Sequence, residues 1–330
     1  MTLTHHHHQP VSLLETIGNT PLVSLDAGPE AVPIFTKLET FNPGGSIKDR
    51  IGSYIIETLL DRGTLPPNGT VIEPTAGNTG IGMAIAANQH DLHAIFVVPH
   101  GFSEEKETLM AALGAEIINV PNEAGMQGAA ETAYELAADR DDAVVPQQFT
   151  NELNVEAHER HTGPEVLEAL DDRVGALVVG IGSGGTIMGM ARAIRRTVPD
   201  LHVVGVEPTG STYGTLIGKS REKQPYKIEG IGTHDPTVAE RIVPEELDDV
   251  VTVSDEAAHA EVQRLAREEG HLVGSSSGAA SVAAQRVAEE IQSGQRSVPH
   301  QTVVTVFPDG SERYLSKGIY GSFAEWEGKG

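Results

Sequence analysis

In the segment Thr40-Phe41-Asn42-Pro43-Gly44-Gly45-Ser46-Ile47-Lys48-Asp49-Arg50 one lysine stands where a glycine turn passes into a helical pattern. Ser46 can cap a helix that begins around Ile47. The positive end of that helix lowers the cost of holding Lys48 as a neutral, nucleophilic amine, the form that makes a Schiff base with an aldehyde. The chain contains 8 lysines in 330 residues, so one at this junction stands out. Taken alone the segment reads as a surface lysine in a capped first turn, and two further loops reverse that reading.

Gly180-Ile181-Gly182-Ser183-Gly184-Gly185-Thr186 follows an apolar run, opens a helical pattern and satisfies G-x-G-x-x-G. Its glycines let backbone N–H groups approach an anion at the start of a helix. Glu207 ends the next strand, where a ribose-binding acid would sit, so a nicotinamide dinucleotide, a phosphorylated cofactor and a structural glycine turn all stay open for this loop. The third loop, Glu73-Pro74-Thr75-Ala76-Gly77-Asn78-Thr79-Gly80, offers a second nest of backbone donors with the side chains of Thr75, Asn78 and Thr79, suited to a carboxylate. A lysine, a phosphate nest and a carboxylate nest together are what pyridoxal phosphate chemistry on an amino acid needs, whereas hydride transfer has no evident use for the lysine.

Ile17-Gly18-Asn19-Thr20-Pro21-Leu22, the Asn42 to Arg50 segment, the Thr75 to Gly80 loop, Gln147-Gln148-Phe149, Thr162-Gly163-Pro164-Glu165, the Gly180 to Thr186 loop, Gly230-Ile231-Gly232 and Ser276-Ser277-Gly278 follow one another in this order along nearly the whole chain. Together they resemble the cysteine synthase and cystathionine β-synthase family of fold-type-II pyridoxal phosphate enzymes, which includes the O-acetylserine sulfhydrylases. The resemblance implies that Lys48 holds the cofactor as an internal aldimine and later moves the α-proton. It implies that Gly182, Ser183, Gly184, Gly185 and Thr186 cradle the phosphate, and that Asn78 binds the ring hydroxyl. Thr75, Ala76, Gly77, Thr79 and Gln148 would surround the substrate carboxylate, with Gly230 also on the substrate side. Ser276 would face the pyridine nitrogen, where a neutral hydroxyl does not favour ring protonation; by itself Ser276 reads equally as the N-cap of the following helix.

The implied reaction is β-replacement on an activated serine such as O-acetylserine, through aminoacrylate, with sulfide giving L-cysteine or homocysteine giving cystathionine. Asn78-Thr79-Gly80 favours replacement over deamination, because related dehydratases tend to carry histidine at the position of Thr79. Ala76 departs from the serine usual in cysteine synthases, and Thr233-His234-Asp235 follows Gly232 where many members have small or apolar residues. Neither a haem segment nor a regulatory module like those of the large regulated cystathionine β-synthases is seen. The resemblance further implies a homodimer and admits a serine acetyltransferase partner. An NAD-dependent oxidoreductase and a non-catalytic cofactor-binding protein are the rival classes. The second is disfavoured by the presence of Lys48, Asn78 and Gln148 together.

These loops need elements to hold them. Short Val- and Ile-rich runs alternate with helical patterns, the signature of parallel strands joined by crossover helices, so the expected class is α/β with two domains of mostly parallel sheet flanked by helices, tryptophan synthase β-like. Strands are expected at 34–38, 70–73, 94–98, 116–120, 176–180, 202–207, 250–253 and 302–307. Helices are expected at 49–62, 79–89, 104–113, 125–138, 155–170, 186–197, 256–269 and 278–292, and 209–236 reads as a long loop. The expected division is a tail at 1–10, a larger cofactor domain from 11–41 and 153–330, and a smaller mobile domain at 42–152. No apolar run approaches a membrane span. The absence of cysteine excludes disulfides and thiolate chemistry and suits the cytoplasm. A formal charge of -24 argues against nucleic acid and anionic membranes and resembles a surface adapted to high salt. His158 and His161 have helical spacing but no third metal ligand, and read as a solvated acidic helix face. His5 to His8 read as a tag remnant.

Overall fold

A computed structural model of the protein describes residues 10–28 and 30–321, so the histidine tract and nearly all of the expected tail lie outside the described residues. Among the described residues ten strands form two sheets. The larger contains β1 (Leu22–Leu25), β2 (Ile34–Leu38), β7 (Ala176–Gly180), β8 (His202–Pro208), β9 (Asp249–Val253) and β10 (Val303–Phe307), in the order β1-β2-β10-β7-β8-β9. The smaller, from β3 (Thr70–Pro74), β4 (His93–Pro99), β5 (Glu116–Val120) and β6 (Ala143–Val144), is wholly parallel in the order β5-β4-β3-β6. In the larger sheet only the β1–β2 edge pair is antiparallel. The last strand, β10, lies in the middle of the larger sheet between β2 and β7, parallel to both.

Most of the runs that read as strands are buried on both faces, as in Val303–Phe307, where every residue is buried, whereas β5 at the sheet edge has only Val120 fully buried. β1 and β6 escape that reading: one is a four-residue edge and the other has two residues, too short for any periodicity. The helices are α1 (Lys48–Asp61), α2 (Asn78–Gln89), α3 (Glu104–Ala112), α4 (Gly125–Ala138), α5 (Glu152–Ala157), α6 (Gly163–Ala169), α7 (Gly185–Arg195), α8 (Asp255–Arg264) and α9 (Ser275–Gln292). The single helix expected over 155–170 is interrupted by a π-turn at His158–Thr162, and that over 256–269 ends in another at Leu265–Glu269.

Helices α1 and α2 cross at two glycines, and this close approach brings the chemistry together. A Cβ on Gly82 would lie 2.5 Å from the Lys48 carbonyl oxygen, and one on Gly52 would lie 2.4 Å from the Gly82 carbonyl carbon. Neither position has room for a side chain. Lys48 and Asn78, each the first residue of its helix, line one cleft above that contact.

Candidate active site

Lys48 lines a cleft that is partly open to solvent. The turn before it is closed by Asp49, whose Oδ2 accepts the Gly44 N–H at 2.5 Å. The Ile47 N–H donates to the Pro308 carbonyl at 2.8 Å, fastening the turn to the end of β10. Ser46 Oγ accepts the Lys48 N–H at 3.2 Å, but Ile47 holds the cap position and the helix starts at Lys48, so Ser46 stands one residue before the cap expected of it. Among the described residues no hydrogen bond or ion pair engages the Lys48 amine. Burial pulls its pKa down to about 8, with the Asp309 charge opposing.

Gly182, Ser183, Gly184 and Thr186 line the same cleft, as do Asn78, Gly230 and Ser276. Gly184 has φ +85°, and a Cβ there would also meet the Ile242 side chain at 2.5 Å, so only glycine fits the turn that opens α7. Gly185 lies one step behind, against Asn154, and does not line the cleft. Ser276 is the second residue of α9, and Gly274 holds the cap position, so the alternative N-cap role is not met.

The residues expected around a carboxylate, Thr75, Ala76, Gly77, Thr79 and Gln148, do not line this cleft either; they adjoin it through Asn78. Thr79 Oγ1 donates to Gln148 Oε1 at 2.6 Å, and Thr75 Oγ1 accepts the Gly77 N–H at 3.4 Å. Glu73 holds the Gln148 turn from below, accepting the N–H groups of Gln147 at 2.8 Å and Gln148 at 3.0 Å. Burial raises the Glu73 carboxyl to about 7 against those two donors.

Asn154, absent from the sequence reading, joins the two nests: its Nδ2 donates to the Gln148 carbonyl at 2.7 Å and to Ser183 Oγ at 2.8 Å. With its oxygen engaged, the Ser183 hydroxyl keeps its own proton to donate. His158 is not on a solvated face, as expected from sequence, but fully buried: Nε2 meets Thr186 Oγ1 at 3.2 Å and Nδ1 meets Thr162 Oγ1 at 2.9 Å. Burial, aided by Arg50 and Lys48, keeps its pKa well below the usual histidine range. Among the described residues no His, Asp and Glu cluster could hold a metal ion.

The turn after β10 supplies further residues that the sequence reading missed. Asp309 lines the cleft, and its Oδ2 accepts Asn78 Nδ2 at 2.6 Å together with the Tyr314 hydroxyl. Arg313 Nη1 donates to Asn78 Oδ1 at 2.6 Å, and Nη2 donates to the Gly44 carbonyl. Lys106 of α3 sits 4.8 Å from the centre of the Tyr314 ring and pairs with Glu229 at 3.0 Å. A carboxylate just past the C-terminal end of an apolar strand, Phe307-Pro308-Asp309, is the signal that could have found this turn.

Beneath α1 lies a buried ion cluster. Arg50 pairs with Glu39 at 2.7 Å and with Glu165 at 2.7 Å, while Lys37 reaches Glu165 at 2.6 Å. It joins β2, α1 and α6 under the lysine and collects Thr20 and Asn19 from the Gly18-Asn19-Thr20 segment. Glu207 is unavailable to a ribose: it is fully buried, and Oε1 is taken by Arg221 at 2.5 Å and the Gly214 N–H at 3.1 Å.

The donor set fits pyridoxal phosphate. A glycine-rich turn at a helix start, with the Ser183 and Thr186 hydroxyls each held by one buried side chain, suits one phosphate, a neutral-prone amine suits an aldehyde, and Asn78 and Ser276 are polar partners for the ring. The family model for pyridoxal-phosphate dependent enzymes matches residues 13–309. The O-acetylserine dependent cystathionine β-synthase of Bacillus subtilis is 44% identical over 310 residues, covering 93% of this chain and 97% of its own. A cysteine synthase of Helicobacter pylori is 42% identical over 314 residues, covering 94% and 98%. The crystal structure of the O-acetylserine dependent cystathionine β-synthase from Helicobacter pylori superposes with a TM-score of 0.84 at 41% identity, over 95% of this chain and 99% of that one.

Proposed function

The chain belongs to the family of pyridoxal-phosphate dependent enzymes, and from that premise we propose that it catalyses β-replacement on O-acetylserine, with sulfide as acceptor and L-cysteine as product. The observation that carries this reading is the Lys48 amine, unpaired among the described residues and depressed to about 8, in the cleft that also holds the glycine nest and Asn78.

Gly182 to Thr186 would hold the phosphate, Asn78 the ring hydroxyl and Ser276 the ring nitrogen. Bound pyridoxal phosphate supplies an aldehyde for covalent attachment and an electron sink that acidifies the substrate α-C–H. Lys48 would hold the cofactor through its amine, and the same amine would take the substrate α-proton and later return it to the α-carbon. Thr75, Ala76, Gly77, Thr79 and Gln148 orient the substrate carboxylate, and Gly230 borders the substrate from the 209–236 loop. Homocysteine as acceptor is the second reading, favoured by the 44% identity to an O-acetylserine dependent cystathionine β-synthase.

Residues 42–152 are proposed to close as a unit over 11–41 and 153–330. The Asn78–Asp309 and Lys106–Glu229 contacts, each joining the two parts, support this. A cytoplasmic, salt-adapted setting is proposed, supported by the absence of cysteine and the charge of -24, and a homodimer is proposed from the family resemblance and the commonness of two-fold dimers. A serine acetyltransferase is its proposed partner.

The test is product analysis after incubation with pyridoxal phosphate, O-acetylserine and either sulfide or homocysteine. Cysteine in the first mixture at the higher kcat/KM supports the proposal, and cystathionine dominating in the second replaces sulfide by homocysteine. Lys48→Ala is expected to abolish both products, and turnover surviving in that variant would sink the assignment.

A further inference from the structure

We propose that Asp309 and Arg313 are the positioning residues for Asn78, fixing its side-chain amide in one orientation so that a defined N–H remains for the cofactor. The inference rests on the reading that pyridoxal phosphate occupies this cleft. Asn78 presents an acceptor and a two-proton donor that interchange when the amide flips, so its usefulness to a ligand depends on what holds it.

Here each end meets a partner of opposite character. The Arg313 guanidinium has no acceptor atom, and Nη1 lies 2.6 Å from Asn78 Oδ1. Asp309 Oδ2 lies 2.6 Å from Asn78 Nδ2 and also receives the Tyr314 hydroxyl, so it serves as an acceptor. A flipped amide would set N–H groups against the guanidinium and an oxygen against the carboxylate. One proton of Nδ2 is engaged by Asp309, which leaves the other for a cofactor oxygen.

The clamp is itself held. Asp309 and Arg313 are 2% and 4% exposed, and Arg313 also donates to the Gly44 carbonyl in the turn before Lys48. Clamp and target lie 231 and 235 residues apart in sequence, one on the turn after β10 and the other at the start of α2. The same contacts therefore join the parts proposed to close on one another, so cofactor binding and closure are coupled through one amide.

The experiment is a double-mutant cycle on pyridoxal phosphate affinity, measured by equilibrium dialysis of apoprotein whose folding is checked by far-UV circular dichroism and melting temperature. Charge-assisted hydrogen bonds of this kind are worth enough that Arg313→Lys is expected to weaken binding by about tenfold or more. In an Asn78→Ala background the same substitution should change affinity less than about twofold, because the clamp then has nothing to position. Asp309→Asn paired with Asn78→Ala is the second cycle and decides the matter if Arg313→Lys fails to fold. Equal losses in both backgrounds mean a general structural role and overturn the proposal, as does unchanged affinity in the folded single variants. Wild-type protein that takes up no pyridoxal phosphate overturns the functional reading itself, and this inference with it.

Discussion

A lysine is useful as a nucleophile only in the fraction that is neutral, and at Lys48 burial enlarges that fraction near neutral pH. The rate at which apoprotein captures pyridoxal phosphate, followed by the visible absorption band, is expected to rise with pH to a midpoint of about 8. A midpoint near the ordinary 10.5 would show the amine to be unperturbed. Glu73 acts one step further out, through the Gln148 turn. Glu73→Gln keeps the shape but replaces one of the two carboxylate oxygens that accept the Gln147 and Gln148 N–H groups by an NH2 donor, so KM for O-acetylserine is expected to rise several-fold while pyridoxal phosphate affinity stays put. Equal changes in both would contradict a role confined to the carboxylate loop. Lys48, Asn78 and the glycine loop were legible because glycines and a lysine at a turn-to-helix junction leave local signatures. Asp309, Arg313 and Asn154 were not, since their meaning lies in partners far away in sequence, and His158 was misread because only its three-dimensional neighbours reveal that it is buried.

At the scale of elements, α1 carries Lys48 and is held from below by charges. Burial pushes the Glu165 carboxyl up, but Arg50 and Lys37 outweigh it and hold it down at about 2. Its folded pKa is thus below the unfolded value, so the stabilisation is present above about 4.5 and is lost as pH falls towards 2. Glu165→Gln leaves two buried cations with one carboxylate between them and is expected to cost about 3–5 kcal/mol in urea denaturation at pH 7. A loss below about 1 kcal/mol would place the pair with ordinary surface bridges. Strands buried on both faces could be read from composition, whereas the π-turn at His158–Thr162 could not: it follows from buried polar contacts and leaves the helical pattern of 155–170 intact in sequence.

Over the whole molecule a charge of -24 on 330 residues makes self-repulsion a term that salt must screen. The melting temperature is expected to drop by several degrees between molar and millimolar KCl, and an unchanged value would remove the salt-adaptation argument. The alternation of strand and helix made the α/β class legible, but strand order was not, because no local pattern says that the last strand sits in the middle of its sheet. That placement has a consequence for how the chain is made. Until Val303–Phe307 leaves the ribosome, β2 and β7 have no strand to join them, and the larger sheet waits as two fragments with open edges. The Lys48 turn, fastened to the Pro308 carbonyl, waits with them. Nascent chains stalled before residue 303 are thus expected to be readily cleaved by protease and unable to capture cofactor, which chains extended past Phe307 would do.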